Sequence, residues 1–267
     1  MSRMRKSDEP VGLASRSPSR RATVAEVHGT PSLPESLAEL PIFDGIGAEL
    51  TTALIEASSI HQYRAGSVIA RGGEPVRGLH IIQRGIVDLA HQVGSHECGV
   101  LLLSSKDLLL PSATLFHEPS LVSARALTTT KVVVVEGATF EAAVRTSPLL
   151  AINFSRAVSG QWRMAVRTIL DLNCRTAAQR LGAFLIRMAD LQRSAEIAIL
   201  PFGKRYLASR LGMTAETLSR ALQIVARHGL FLRGHTIIIR NREAIEKFCG
   251  PDPYPESDEH SLDVFAI

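Results

Sequence analysis

The stretch LASRLGMTAETLSRAL, residues 207–222, decides the fold of the second half of this 267-residue chain. Two short amphipathic segments flank Gly212, which suits a tight turn, and Thr214 is a suitable N-cap for the second segment. An apolar spacing of i, i+3, i+4 and i+7 predicts one buried helix face, formed by Leu218, Ala221, Leu222 and Val225. The opposite face then carries Glu216, Ser219, Arg220, Gln223 and Arg227.

The residues after this stretch predict a β-hairpin. Gly229 is a suitable stop for the second helix, and LFLRGHTIIIR, residues 230–240, indicates two strands joined by a turn near Arg233 and Gly234. Two helices around a tight turn, followed by a hairpin, are typical of a winged helix-turn-helix. In such a motif the second helix enters the major groove of DNA.

Positive charge is concentrated in the same region. Residues 201–249 contain nine Lys or Arg and three Glu, a net charge of +6, whereas the whole chain carries only +4. Contact with DNA phosphates requires such a local positive field. On an arbitrary helix, Glu216 and Arg220 would be a solvated surface pair worth only tenths of a kcal/mol. The basic helix-turn-helix context instead favours base reading, since Arg donates two hydrogen bonds to guanine and Glu accepts one from cytosine.

The first half of the chain shows a different pattern. From residue 41 to residue 136, short apolar pieces such as SVIA, LHIIQ, IVDLAHQ and CGVLLL are separated by glycines, and TTTKVVVVE adds a β-branched run. Short strands at this spacing predict an antiparallel barrel or sandwich.

A long helix is predicted after residue 148. Within LLAINFSRAVSGQWRMAVRTILDLN, seven apolar or small residues recur at alternating intervals of four and three, the a/d pattern of a coiled coil. A helix that packs on its own domain usually shows a broader apolar stripe, so the pattern favours contact with a second copy of the chain. The alternative is a helix that simply lies on the barrel. The predicted dimer interface comprises Val158, Trp162, Ala165, Ile169 and Leu172.

These patterns predict an α+β fold with an antiparallel β-barrel of the jelly-roll type, a long dimerisation helix and a C-terminal winged helix-turn-helix. The expected divisions are a flexible tail at 1–34, a sensor domain at 35–148, the dimerisation helix at 149–174, the DNA-binding domain at 175–249 and an acidic tail at 250–267. The sequence contains no run of eighteen apolar residues, so we predict no membrane span. Three scattered cysteines are typical of a reducing cytoplasm, where we therefore expect the protein.

Enzymatic motifs are absent from the sequence. We find no G-x-S-x-G, no H-E-x-x-H and no phosphate-binding G-x-x-x-x-G-K-[ST], so we do not expect an enzyme. The hairpin HQVGSHEC would place His91 opposite His96, with Cys98 on the same face as His96. Three candidate ligands at this spacing match no standard pattern, and we predict no metal site.

The sequence resembles the CRP/FNR superfamily of bacterial transcription regulators over about residues 38–248. The barrel turn RGGEP followed by LHIIQRGIVDL, together with SARALTTTKVVVVE, is similar to the cyclic-nucleotide-binding-type fold of that family. The E-x-x-S-R pattern within LASRLGMTAETLSRAL resembles the FNR-like recognition helix. The longer stretch LPFGKRYLASRLGMTAETLSRAL looks most like the nitric-oxide-responsive NnrR/Dnr branch.

This resemblance implies a homodimer that binds double-stranded DNA and works with RNA polymerase. It further implies a palindromic site close to TTGAT-N4-ATCAA, in which Arg220 reads the guanine, Glu216 accepts from a cytosine and Ser219 lies near thymine. The remaining expected DNA contacts are Thr214, Thr217, Gln223, Lys204 and Arg205. The alternative function is a cyclic-nucleotide-type regulatory subunit, or another effector-binding module, that does not read DNA itself.

The effector is less well indicated than the DNA site. Cyclic-nucleotide binders of this fold carry Gly-Glu and Arg-Ser pairs, but here Leu110, Pro111 and Ser112 stand near the first pair and Val122-Ser123 at the second. A cyclic phosphate would lose its cation, so we do not expect cyclic AMP. Three separated cysteines also exclude a four-cysteine iron–sulfur cluster within one chain. The resemblance implies haem, with His117 as the candidate ligand, and a response to nitric oxide, oxygen limitation or redox state.

Overall fold

The computed structural model describes residues 40–94 and 96–250 of the chain, with the side chains of His96 and Glu97 left aside. The predicted tail at 1–34 lies outside these residues, as does the predicted acidic tail beyond Gly250. The predicted fold class is confirmed: two antiparallel sheets and several helices precede a C-terminal helix-turn-helix domain. No helix within the described residues is long and apolar enough to cross a membrane.

Two four-stranded antiparallel sheets form the sensor half. One has the strand order β1-β8-β3-β6 and the other the order β2-β7-β4-β5. The strands are β1 Ser58–Tyr63, β2 Val68–Ala70, β3 Leu79–Arg84, β4 Val87–Val93, β5 His96–Leu103, β6 Leu108–Leu109, β7 Ser123–Ala126 and β8 Thr130–Val135. Around them lie a 3-10 turn at Pro41–Phe43 and the helices α1 Ala48–Glu56, α2 Pro111–Phe116 and α3 Gly137–Thr146.

The central strands β3 and β8 bury apolar side chains on both faces, since successive residues contribute to two different cores. In β3, Leu79, Ile81 and Ile82 are fully buried, and in β8 Val132, Val133 and Val135 are equally inaccessible. β-Branched side chains suit such a pleated, packed surface, so this half of the chain buries its own core without a partner.

The hairpin β4–β5 corrects one prediction. Its strands pair His91 with Cys98, Gln92 with Glu97 and Val93 with His96, so His91 does not stand opposite His96. The reason is the length of the connection: β4 ends at Val93 and β5 begins at His96, whereas the expected register needed a longer connection. The described side chains contain no group of three His, Cys, Asp or Glu that would hold a metal ion.

The long helix α4, Pro148–Cys174, packs on its own sensor domain. Leu150 and Phe154 join the core beneath it, and Asn153 Nδ2 donates to the carbonyl oxygens of Ile42 and Asp44 at 3.3 and 2.8 Å. The alternative of a helix lying on the barrel is therefore correct for this face. A second face remains open and carries Trp162, Ile169 and Leu172, whereas the exposed Leu149, Ile152 and Leu170 lie further round the helix.

The predicted a/d positions lie at the border between these two faces. Val158 and Ala165 are half-buried against the sensor cores, whereas Trp162, Ile169 and Leu172 are 67%, 51% and 45% exposed. The predicted dimer interface is thus divided: two of its residues contact the chain's own barrel, and three are exposed.

The C-terminal domain follows α4 after only Arg175 and Thr176. Its elements are α5 Ala177–Leu191, β9 Ile197–Ile199, α6 Lys204–Arg210, α7 Ala215–Arg227, β10 Leu230–Arg233, β11 Thr236–Ile239 and α8 Arg242–Cys249. The predicted hairpin β10–β11 is present, and β9 adds a third antiparallel strand on β11. Strand β9 was not predicted, because three residues are too few to show an apolar periodicity.

Candidate nucleic-acid interface

The turn between α6 and α7 sets the position of the second helix. Gly212 has φ +59°, a backbone conformation that is strained for a residue with a Cβ atom but not for glycine. Thr214 caps α7, as predicted, by accepting a hydrogen bond from the Thr217 amide at 3.1 Å. Glu216 in the first turn and Arg227 in the last turn both match the helix dipole.

Packing against α5 decides which face of α7 remains outside. Leu218, Ala221 and Val225 are buried in the core of the C-terminal domain, which includes Leu181 and Leu185 of α5. The helix ends at Arg227, and Gly229 two residues later has φ +86°, where a Cβ atom would lie only 2.7 Å from Asn241 Cβ. One side of α7 is thereby fixed, and its other side must face solvent or a ligand.

The outer face of α7 carries the polar residues predicted to read bases. Glu216, Ser219, Arg220 and Gln223 are all exposed. Arg220 Nη2 donates to Glu216 Oε1 at 2.5 Å, and about three quarters of each side chain is accessible. An ion pair this exposed contributes only tenths of a kcal/mol, so both groups exchange water or each other for DNA at little cost.

Two threonines of the predicted site also stabilise the start of α7. Thr214 Oγ1 lies 3.0 Å from Thr217 Oγ1, in addition to accepting from the Thr217 amide. Thr217 is also half-buried, so these hydroxyls hold the start of α7. Lys204 and Arg205, in contrast, are exposed in the first turn of α6.

Further cations surround this face. Arg233 is exposed at the tip of the hairpin β10–β11, and Arg240 lies over the Phe231 ring at 5.1 Å from its centroid. Arg242 is instead paired with Asp190 at 2.5 Å and with Glu246 at 2.6 Å. Arg233 was absent from the predicted contacts, although a basic residue beside a Gly-containing hairpin turn was a visible signal.

The positions that the resemblance assigns to the binding of a cyclic phosphate make contacts within the chain. Ser123 Oγ accepts from the Gly72 amide at 2.9 Å, and the Gly73 amide donates to the Ser120 carbonyl at 2.7 Å. Val122 packs against the barrel core. Leu110 has a buried side chain and φ +50° at the start of α2, where Pro111 has no amide hydrogen to offer.

His117 does not fit an axial haem ligand. Its side chain is 69% exposed, and Nε2 lies 3.3 Å from Glu141 Oε2 on the outer side of α3. Hydrogen bonds from Arg145 and then His117 lower the pKa of Glu141. An axial ligand lies in an apolar slot, whereas this imidazole points to a carboxylate at the surface.

Two family models match the sequence. A Crp-like helix-turn-helix domain matches residues 179–248, and a cyclic nucleotide-binding domain matches residues 60–147. Together these matches span more than half of the chain. The second match gives the fold of the sensor half, even though the phosphate-contacting positions in it carry other residues.

The chain is also similar to individual regulators. It is 25% identical over 194 residues to the fumarate and nitrate reduction regulatory protein of Escherichia coli (strain K12), covering 69% of this chain and 76% of the relative. The structure of FixK2 from Bradyrhizobium japonicum matches with a TM-score of 0.62 and 25% identity, over 71% of this chain and 96% of FixK2. The c-di-GMP responsive global regulator CLP of Xanthomonas campestris shares the fold, with a TM-score of 0.63 and 17% identity over 72% of this chain and 99% of CLP.

Proposed function

This chain belongs to the CRP/FNR family of DNA-binding transcription regulators, and we propose that it works as a homodimer that reads a palindromic site close to TTGAT-N4-ATCAA. Bound there, it would act with RNA polymerase. The observation that carries the proposal is the outer face of α7, where Glu216, Ser219 and Arg220 stand exposed on a helix held rigidly by its cap and its core.

The chemistry of this face supports base reading. Arg220 offers paired donors for guanine O6 and N7, and Glu216 offers an acceptor for cytosine N4. Their mutual ion pair orients the guanidinium before DNA arrives. Ser219, on the same face, is short enough to allow close approach to a thymine. These three residues are therefore proposed as the specificity determinants.

The dimer is proposed on the open face of α4. Trp162, Ile169 and Leu172 expose large apolar side chains along one side of a 27-residue helix. Contiguous exposed apolar surface of this kind marks interaction sites. A parallel pairing of two copies would cover these residues and present two recognition helices to successive major grooves, about 34 Å apart.

The first test separates this function from the alternative of an effector-binding module that does not read DNA. A gel-shift at one fixed salt concentration compares the palindrome with a scrambled duplex of equal composition. A DNA reader binds the palindrome at least about a thousandfold more tightly. Equal binding to both duplexes would contradict the proposal and favour the alternative module.

Lys204 and Arg205 are proposed as phosphate contacts. Lys204→Ala and Arg205→Ala should each weaken binding to specific and scrambled DNA by the same factor, because phosphates carry no sequence. The slope of log K against log salt should fall by about one per contact. The matched control is Arg145→Ala, an exposed arginine of α3 paired with Glu141, which should leave the slope unchanged. A changed preference between the two duplexes would assign base contacts to Lys204 or Arg205 instead.

Cyclic AMP should not bind to the sensor half. Ser123 already holds the Gly72 turn, and Val122 supplies an apolar side chain where the phosphate needs a cation. Titration calorimetry with up to about 1 mM nucleotide is expected to show only heats of dilution. This result corresponds to a binding free energy weaker than about −4.1 kcal/mol. Saturable micromolar binding would overturn our interpretation of this loop.

Haem is not part of the proposal, because the exposed His117 pairs with Glu141 and does not fit an axial ligand. The similarity to the NnrR/Dnr branch stays a prediction from residues 200–222.

A further inference from the structure

The first helix of the helix-turn-helix contacts the sensor sheet. Tyr206 of α6 donates from Oη to Asp88 Oδ1 of β4 at 2.6 Å. Asp88 is only 2% exposed, so this carboxylate is withdrawn from water at the place where the two halves of the chain meet. Hydrogen bonds to buried charged groups are among the stronger ones in proteins.

One turn further along α6, Arg210 occupies the same meeting place. Gly99 of β5 provides the room, since a Cβ atom there would lie 2.9 Å from Arg210 Cδ and 3.1 Å from its Cα. Arg210 Nη2 lies 3.5 Å from Thr168 Oγ1 of α4. Burial lowers the pKa of Arg210, while the nearby Tyr206 and Asp88 oppose that shift. We call Asp88, Gly99, Tyr206 and Arg210 the junction.

Apolar side chains and the end of α4 extend this contact. Leu102 and Leu127 of the sensor half pack against the core of the C-terminal domain. Asp171, near the end of α4, pairs with Arg187 of α5 at 2.6 Å. Because only residues 175 and 176 connect α4 to α5, the junction and this ion pair hold the C-terminal domain at two separate points.

Among the described contacts between the two halves, none involves a predicted DNA-contacting residue. Lys204 and Arg205 are exposed in the first turn of α6, and Glu216, Ser219 and Arg220 are exposed on α7. The docked arrangement therefore leaves the recognition surface free while it restricts the movement of the domain that carries it. Restricting a binding unit before it binds lowers the entropic cost of binding in one particular geometry.

We infer that the junction fixes the distance and angle between the two recognition helices, so that Asp88, Gly99, Tyr206 and Arg210 act as positioning residues for the spacer between half-sites. The inference rests on the proposed homodimeric reading of a palindrome. One base pair added to or removed from the spacer moves a half-site by about 3.4 Å and a tenth of a turn. A domain held at the junction does not follow this shift, whereas a released domain does.

The experiment measures binding of the full chain, by fluorescence anisotropy at one salt concentration, to duplexes with spacers of three, four and five base pairs and to a single half-site. Two variants open the junction from opposite sides: Tyr206→Phe removes the hydrogen bond to Asp88, and Gly99→Ala forces Arg210 away. Each should reduce the preference for the four-base-pair spacer by about tenfold, which for Tyr206→Phe is the effect of losing one hydrogen bond to a charged group. Affinity for the single half-site should stay unchanged.

Two matched controls separate positioning from general damage. Tyr63→Phe removes a hydroxyl from a buried tyrosine of β1, and Gly47→Ala adds a methyl group with nothing within 4 Å. Both should keep the parent's spacer preference, and light scattering should show that all four variants have the parent's mass. Junction variants that keep the parent's ratio across the three spacers would overturn the inference alone. A parent that binds all three spacers equally would overturn the proposed palindrome reading and this inference with it.

Discussion

Replacing Trp162 with Glu is expected to convert the proposed dimer into monomers at micromolar concentration. Trp162 is 67% exposed in the single chain, on the open side of α4 that also presents Ile169 and Leu172. In a symmetric pair the substitution occurs twice, and each unpaired carboxylate would be buried at a cost of several kcal/mol. Since each 1.4 kcal/mol changes affinity tenfold, we expect dimerisation to weaken by at least about a thousandfold.

Light scattering at about 10 μM, where such a weakened dimer dissociates, distinguishes the chain mass of 28.9 kDa from twice that value. Thr52→Glu is the matched control, because it adds the same charge to an exposed position of α1. The control should remain dimeric and keep its affinity for the palindrome, whereas Trp162→Glu should lose both. A Trp162→Glu protein that stays dimeric would show that the open face of α4 is not the interface.

The sequence predicted the parts of the fold whose signals are local. The turn at Gly212, the cap at Thr214 and the buried positions Leu218, Ala221 and Val225 all lie within one short stretch, and the structure has them as expected. Turn chemistry and helical periodicity act between near neighbours, so one sequence is enough to show them.

Contacts between distant residues were not predictable in the same way. Tyr206 and Asp88 are 118 residues apart, and nothing in either neighbourhood indicates their hydrogen bond. The burial of part of the predicted dimer interface was unpredictable for the same reason. Only the packing of Leu150 and Phe154 on the barrel shows that Val158 and Ala165 are already half-buried within the chain. For the hairpin β4–β5, the short connection between Val93 and His96, rather than the composition of the strands, set the register.

Arg220→Ala is expected to cost about 1–3 kcal/mol at each half-site and to abolish the preference for the G·C pair. The guanidinium is three quarters exposed and pairs with Glu216 of the same helix, so its removal should leave the fold of the domain intact. Two half-sites in one palindrome would then lose about 2–6 kcal/mol together, provided that the positions are additive.

A matched variant is available on the same helix. Arg227 is also exposed, but it lies in the last turn of α7, two turns from the residues proposed to enter the groove. Arg227→Ala removes the same charge and should weaken all duplexes alike. Any difference between the two variants therefore reports the position of the arginine and not the loss of a positive charge.

The most direct test of base reading by α7 is the binding of parent, Arg220→Ala and Arg227→Ala proteins to two duplexes at one fixed salt concentration. One duplex is the palindrome, and the other has the G·C pair of each half-site replaced by A·T. We expect the parent and Arg227→Ala proteins to prefer the first duplex by at least about tenfold, since one mismatched pair costs about 1–3 kcal/mol. We expect the Arg220→Ala protein to bind both duplexes equally. If Arg220→Ala weakens binding to both duplexes by the same factor and keeps the parent's preference, Arg220 contacts only phosphate and base reading by this residue is contradicted.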